Sequence, residues 1–401
     1  MPQILYLSTL CSERMNEYLF KTGIEKPVQS AQKFHRLITK GIQKHTGANL
    51  KVLSAVPVVP SRHNRVFWIE PNEIEDGVRY GYIPMLNIKI VKNISVFISC
   101  FIKVLLWCLK NTGKKRILIT DVLNLTTSAA AILACKITFT KTIGILTDMP
   151  GLMVTTDKNS LGKIVEQINS FLIARMSGFV FLTEQMNYAI NKKNRPYIIM
   201  EGLVDANMIN SQNDLSQKYK EKVVIYAGGL YEKYGVKKLI EGFIKLKDKN
   251  TALHLYGEGP MVKDIEKYSN LDNRIRFGGM VPNEIVVEEQ IKATLLVNPR
   301  PSNEEFTKYS FPSKNMEYMV SGTPVVTTPL PGMPKEYNKY VYVFQDESEH
   351  GICSTLNYIL SQSSKTLHDF GGAAKQFVLD EKNNLKQAAR IVDLAYKLVY
   401  S

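Results

Sequence analysis

Phe311-Pro312-Ser313-Lys314-Asn315-Met316-Glu317-Tyr318-Met319-Val320-Ser321-Gly322-Thr323-Pro324-Val325-Val326 reads as a loop, a short helix and a buried strand in immediate succession. Pro312 is tolerated at the first helical position, because its missing N–H would have had no partner there, and Gly322 stands where a left-handed residue closes a helix. The pattern predicts a helix of about two and a half turns, from near Pro312 to Ser321. Lys314 and Glu317 are three residues apart and share a face, with Lys314 in the first turn beside unpaired backbone N–H groups and the positive end of the helix dipole. An anion such as a diphosphate suits that place, and Glu317, one turn further in, can accept hydrogen bonds from hydroxyl groups. The same two residues would also make a solvated ion pair on a surface helix, so the segment does not decide between the readings alone.

The segment resembles the donor-site signature of the retaining glycosyltransferases of family 4, which have a GT-B fold and carry a Glu followed by Ala-Met or Tyr-Met, then Gly-x-Pro-Val. Glu317-Tyr318-Met319 and Gly322-Thr323-Pro324-Val325 carry that resemblance. The family signature is a Glu, seven residues and a second Glu; Glu317 matches the second, which holds the nucleotide ribose, and Tyr309 stands at the first. Glu304 and Glu305 lie on the same loop as possible replacements for the missing carboxylate. The Phe-Pro-Ser-Lys variant is similar to a bacterial branch that builds capsule, exopolysaccharide and lipopolysaccharide chains.

Upstream, Lys222 to Ala227 reads as a strand followed by Gly228-Gly229 and, after Gly235, by a helix with Val236, Leu239, Ile240 and Phe243 at helical spacing. A glycine pair between strand and helix permits close backbone approach to phosphate. The family shows Gly-Arg here and a Lys-Gly several residues later; Gly229 stands at the Arg position and Lys233 is retained with a shift. Leu253 to Tyr256 with Gly257-Glu258-Gly259-Pro260, then Ile275 to Met280, then Thr294 to Pro299, continue the series in the family's order. Arg300, Glu304, Glu305, Lys308 and Tyr309 form the loop that leads into the central helix. The resemblance thus implies Glu317, Lys314 and Lys233 as catalytic residues, and the place of Asp148 after a strand of the first half adds it to them. It implies donor binding by Gly228, Gly229, Gly257, Glu258, Met280, Glu305, Tyr309, Ser310 and Ser313.

The first half alternates strands, at Gln3 to Ser8, Leu50 to Val58, Tyr80 to Pro84, Arg116 to Thr120, Lys141 to Leu146, Gly178 to Leu182 and Tyr197 to Met200, with helical stretches, which implies parallel strands joined by crossovers. Asp148, in Thr147-Asp148-Met149-Pro150, follows a strand whose carboxyl end faces a ligand site in such sheets. The family's Gly-Gly pair in the first loop is missing; Ser8, Cys11, Ser12 and Gln32-Lys33-Phe34 occupy the region. The polar run Asn207 to Lys220 has no apolar period and reads as a linker. Asn383 to Val399 is apolar along one broad helical face. The expected architecture is α/β and GT-B: two Rossmann-like domains, 1–205 for the acceptor and 206–380 for the nucleotide sugar, facing across a cleft, with helix 381–401 crossing back to the first domain.

The chain has 401 residues, 45% hydrophobic and 22% charged, which suits two domains. Its five cysteines, Cys11, Cys100, Cys108, Cys135 and Cys353, are odd in number and lack metal spacing, so they read as reduced core residues of a cytoplasmic protein. No secretory signal is apparent. The apolar run Ile94 to Leu109 contains Lys103 and is shorter than the roughly 20 residues needed to span, and a buried helix is expected there. Residues 1–200 hold 26 Lys and Arg against 12 Asp and Glu, whereas residues 201–401 hold 25 of each, so the net charge of +14 lies entirely in the first half. A basic half calls for an anionic partner, and the candidates are an acidic membrane surface, a diphosphate-bearing lipid or nucleic acid. No nucleic-acid motif with interleaved aromatics is present.

The leading expectation is a retaining transferase that moves a sugar from a nucleoside diphosphate donor to a lipid-linked saccharide acceptor, peripheral at the inner face of the membrane and without a cofactor. No Asp-x-Asp motif occurs, so lysines and the helix N-terminus would neutralise the leaving group without a metal. A nucleotide-sugar epimerase or an inverting transferase on the same fold would need a base, for which Asp148, His35 and Glu13 are candidates. A non-enzymatic basic protein that binds membrane is the remaining alternative.

Overall fold

The structure, a computed structural model, describes residues 1–24, 29–149, 160–210 and 212–400. The chain forms two compact units, one of Met1–Leu203 with Asn384–Ser401, the other of Val204–Asn383. Pro150, of the 147–150 stretch, lies outside the described residues.

The second unit holds a six-stranded sheet in the order Ile275–Gly279, Thr251–Tyr256, Lys222–Ala227, Leu295–Asn298, Val325–Thr327, Tyr342–Val343. Every described pair in it is parallel. Parallel strands need crossovers, and their strands are buried on both faces, which is why Val223, Val224, Ile225, Leu295, Leu296 and Val297 run together without alternation. Numbered along the unit, the order is 3-2-1-4-5-6, so chain direction across the sheet reverses between Lys222–Ala227 and Leu295–Asn298. The loops leaving those two strands diverge, and the crevice between them is where doubly wound sheets bind ligands.

The first unit holds eight strands in the order Tyr197–Ile199, Gly178–Phe181, Lys141–Leu146, Arg116–Asp121, Gln3–Ser8, Leu50–Ser54, Val78–Tyr82, Glu73–Glu75. The last is antiparallel to its neighbour and joined to it by Asp76-Gly77, both at positive φ, a two-residue hairpin turn that the sequence reading passed over. The helix Asn384–Tyr400 packs on the helix Gln29–Thr46 and supplies Ala388, Ile391, Leu394, Ala395 and Leu398 to this unit's core. Contact is close because Gly41 has no side chain: a Cβ there would sit 2.3 Å from the Asn384 carbonyl oxygen.

Two expectations need correction. The described residues of the expected linker, 207–210 and 212–220, belong to the second unit. Lys218 Nζ donates to the carbonyls of Ile291 (2.7 Å) and Ala293 (2.9 Å), and Asn213 Nδ2 donates to Ser321 O (2.8 Å), satisfying a carbonyl in the last turn of the central helix. Polar composition concealed this, because the anchoring is done by hydrogen bonds. The helix expected to be buried at 94–109 spans Val91–Lys110 and buries one face only, through Val96, Cys100, Val104, Trp107 and Cys108. Of the cysteines, Cys11, Cys100, Cys108 and Cys135 are buried and Cys353 is half-buried.

Candidate functional site

The central helix runs Ser313–Ser321, with Pro312 just outside it as the cap residue and Gly322 at φ 78° closing it. Pro312 therefore lies one position before the expected helix start. The helix is tied to both strands that flank the reversal. Tyr318, fully buried, accepts from Ala227 N (2.8 Å) and donates to Ala227 O (3.2 Å) at the end of the first strand. Asn298, at the end of the fourth, donates to the buried Asn315 Oδ1 (2.8 Å). These bonds set the helix N-terminal turn over the crevice.

Into that crevice projects Lys314. Its Nζ donates to Tyr226 Oη (3.2 Å) and stands 4.6 Å from the Tyr226 ring centroid, while Tyr226 Oη donates to Gly229 O (2.8 Å). A Cβ on Gly228, at φ 152°, would fall 1.5 Å from Lys314 Nζ, so the ammonium occupies the space that a side chain would fill. The glycine pair thus admits a cation to the backbone. Gly257 packs its own backbone on the Gly228 carbonyl, where a Cβ would come within 1.9 Å.

Burial drives the Lys314 pKa down to about 8, the nearby Arg300 guanidinium pushes it the same way, and Glu317 partly offsets both. Arg300 lies 5.0 Å from the Tyr234 ring centroid and 5.4 Å from that of Phe306. Lys233, exposed, stands 5.5 Å from the same Tyr234 ring. Three cations therefore gather around Tyr226 and Tyr234, with Glu317 as the counter-charge acting on Lys314. Burial disfavours the charged form of Lys314, and a bound anion would reverse that.

The structure thus brings together Lys314, Glu317, Gly228 and Gly229, and joins Lys233 to them through Tyr234 and Arg300. Arg300 is the residue that sequence reasoning left out of the site. Its signal was available: it stands two residues beyond the strand Leu295–Asn298, at the reversal, and it brings a guanidinium to the crevice beside the Gly228-Gly229 pair. Glu258 is exposed and acts through its backbone, accepting from Leu230 N (2.8 Å) to tie two loops that leave neighbouring strands. Met280 is exposed just past the third strand. Glu305 opens the short 3-10 turn Glu305–Lys308, Tyr309 closes it, Ser310 Oγ donates to Phe306 O (3.1 Å), and Ser313 is exposed at the helix start.

Asp148 belongs to the other unit, exposed just past the strand Lys141–Leu146. His35, a candidate base, is 3% exposed, with Nδ1 2.6 Å from Tyr6 Oη and Nε2 3.6 Å from Asp121 Oδ2. Sealed in this way it braces the switch between the strands Gln3–Ser8 and Arg116–Asp121. Glu13 pairs with Arg36 at 3.4 Å on the surface. In the first loop, Gln32 Nε2 donates to Thr9 O (2.8 Å) and its Oε1 accepts from Cys11 N (3.1 Å), and Ser12 caps the helix Glu13–Thr22.

The region that holds the cation cluster has known relatives. Residues 221–362 match the family model described as Glycosyl transferases group 1. The fold is shared along the whole chain. A sucrose-phosphate synthase from Thermosynechococcus elongatus superposes with a TM-score of 0.67 at 12% identity, covering 99% of each chain. Anabaena HepE in complex with UDP gives 0.64 at 12% identity, covering 99% of this chain and 100% of that one. The catalytic domain of starch synthase IV from Arabidopsis thaliana, bound to ADP and acarbose, gives 0.64 at 10% identity and full coverage of both. These similarities establish the GT-B fold. No curated protein matches the chain in sequence.

Proposed function

We propose that the protein is a glycosyltransferase that takes a sugar from a nucleoside diphosphate donor, held in the second unit, to a lipid-linked saccharide acceptor bound by the basic first unit. The observation that carries this is Lys314: a half-buried ammonium at a helix N-terminus, set against a glycine backbone at the strand reversal, its pKa depressed by burial and then by a neighbouring guanidinium. Such a cation is matched by a diphosphate, and Glu317, one turn along the same face, is placed to accept from the ribose hydroxyls.

In a retaining reaction with attack from the face the leaving group departs from, the bond between the anomeric carbon and the phosphate oxygen breaks as the acceptor oxygen bonds to that carbon. The departing phosphate takes the acceptor's proton, and Lys314, Arg300, Lys233 and the helix N-terminus hold the charge that builds on it. No protein nucleophile and no divalent ion is required in this scheme. The family match over residues 221–362 and the fold shared with HepE in its UDP complex support the donor class. The excess of positive charge in residues 1–200 supports an anionic, lipid-linked acceptor reached from the cytoplasmic side, in the synthesis of a surface polysaccharide.

A panel of nucleotide sugars, scored by thermal shift and by slow donor hydrolysis, tests the proposal. One nucleotide sugar is expected to stabilise the protein and to be cleaved with release of nucleoside diphosphate. Absence of any response to nucleoside diphosphates or their sugars would refute it.

A further inference from the structure

The helix Val91–Lys110, about 30 Å long, is apolar on both faces, although only one is packed. Val96, Cys100, Val104, Trp107 and Cys108 join the core of the first unit, so this helix cannot leave the protein to cross a bilayer. On the opposite face Ile94, Ile98, Ile102, Leu106 and Leu109 recur at helical spacing and are each 48–57% exposed. A soluble protein that leaves five branched aliphatic side chains in one stripe carries a contact surface.

The stripe has a continuation. Arg116 donates to Asn111 O (3.0 Å) and Thr138 O (2.7 Å), which holds the 138–139 turn beside the C-terminal end of the helix. Next to Thr138, Phe139 is 93% exposed with φ 53°. A bulky side chain in the left-handed region is strained, and no burial inside the protein offsets it here.

Charge decides what covers this face. Between Asp76 and Asp148 the sequence has ten Lys and Arg and one acidic residue, Asp121, which is turned inward toward His35. Lys103 and Lys110 lie along one flank of the stripe at about 100° per residue, and Lys51, from the strand Leu50–Ser54, lies close enough that both add to burial in lowering its pKa. Two of the cations on this stretch are consumed internally, since Lys92 Nζ donates to Val58 O and Arg116 braces the turn. A second copy of the chain would set like charges against one another, whereas an anionic bilayer matches both the apolar stripe and its cationic border.

We propose that the first unit docks on an anionic membrane by laying the Ile94–Leu109 stripe and Phe139 into the interface, with Lys51, Lys103 and Lys110 on the headgroups. Such a helix lies in the membrane plane with its apolar face about 5–10 Å deep. This deepens the membrane-side acceptor reading above, giving it a face and a mode: insertion with electrostatic support, not attraction by lysines alone.

The test uses the full chain with vesicles of phosphatidylcholine alone or with phosphatidylglycerol. The wild type is expected to float with the anionic vesicles and to keep a measurable fraction bound in 0.5 M salt. Ile98→Asn with Ile102→Asn should lower partition at least tenfold, and Lys103→Glu with Lys110→Glu should lower it mainly at low salt. Phe139→Trp should show a blue-shifted emission when anionic vesicles are added. Nucleotide thermal shifts should be unchanged in every variant, which separates failure here from failure of the donor site. Equal flotation with neutral vesicles, unchanged partition of the asparagine variant, no blue shift, or a dimer that the asparagine variant dissociates would each overturn the proposal.

Discussion

If the proposed donor site is right, Lys314 should make nucleoside diphosphate binding a function of pH in a range where ordinary lysines do not titrate. Its pKa is lowered from 10.5 to about 8, by burial first and by Arg300 second, so the apo protein loses this proton as pH rises through about 8. If only the ammonium binds the diphosphate, affinity should be nearly constant below pH 7. It should then fall about tenfold between pH 7 and pH 9, or about 1.4 kcal/mol. At pH 8, binding should take up about half a proton, which calorimetry in two buffers of different ionisation enthalpy measures directly. The stability sign is opposite to that of a paired lysine: below pH 8 the folded protein bears the cost of a buried ammonium, and that cost is relieved between pH 8 and 10.5, where the unfolded chain holds the extra proton. Lys314→Met should therefore bind nucleoside diphosphate poorly at all pH, lose the slope, and be more stable than wild type at pH 7 by about 1–3 kcal/mol. A flat wild-type affinity from pH 7 to 9, or the same slope in the Met variant, refutes the reasoning.

Glu317→Ala should leave the melting temperature within a few degrees and remove about 2–4 kcal/mol of transition-state stabilisation, read as a drop in kcat/KM; wild-type turnover would sink the assignment. Arg300→Met and Lys233→Met should weaken nucleoside diphosphate binding more than monophosphate binding, and equal losses by calorimetry would place these cations elsewhere on the donor. Gly228→Ala should push the Lys314 ammonium aside and strain a backbone at φ 152°, costing about 1–2 kcal/mol of stability along with diphosphate affinity; unchanged affinity would show that the close approach is incidental. Turnover should survive chelation, and silencing by EDTA with recovery on adding a divalent ion would contradict the cation-only scheme.

The second unit was the more legible half. Its strands alternate with helices at short, regular spacing, and Lys222–Ala227 coincides with its expected bounds because a run of buried β-branched residues ends in glycines on one side and begins after charge on the other. Lys314 and Glu317 were readable because a helix of known phase fixes which residues share a face. Arg300 was readable only in part: its place just past a strand was visible, but only the tertiary pairing of the strands at the reversal brings it near Lys314. The same holds for 207–220, where Lys218 and Asn213 find carbonyl partners more than seventy residues away in sequence, a relation that no local pattern records. The Val91–Lys110 helix misled for a different reason: an apolar run gives the composition of a helix, and only tertiary packing shows that one of its faces stays uncovered.

The docking of Asn384–Tyr400 against Gln29–Thr46 has a consequence for how the protein is made. The first unit begins to emerge from the ribosome long before the second, but its core is short of Ala388, Ile391, Leu394, Ala395 and Leu398 until the final turns of the chain appear. Val204–Asn383, whose strands are contiguous in sequence, has everything it needs earlier. The first unit therefore cannot complete its core before the second has been synthesised, unlike an N-terminal domain contiguous in sequence. Until Asn384–Tyr400 is made, the first unit has every strand of its sheet but lacks one covering helix, and the groove at Gly41 stays open. Truncation before Asn384 would leave Val204–Asn383 whole and the first unit without a cover for its core.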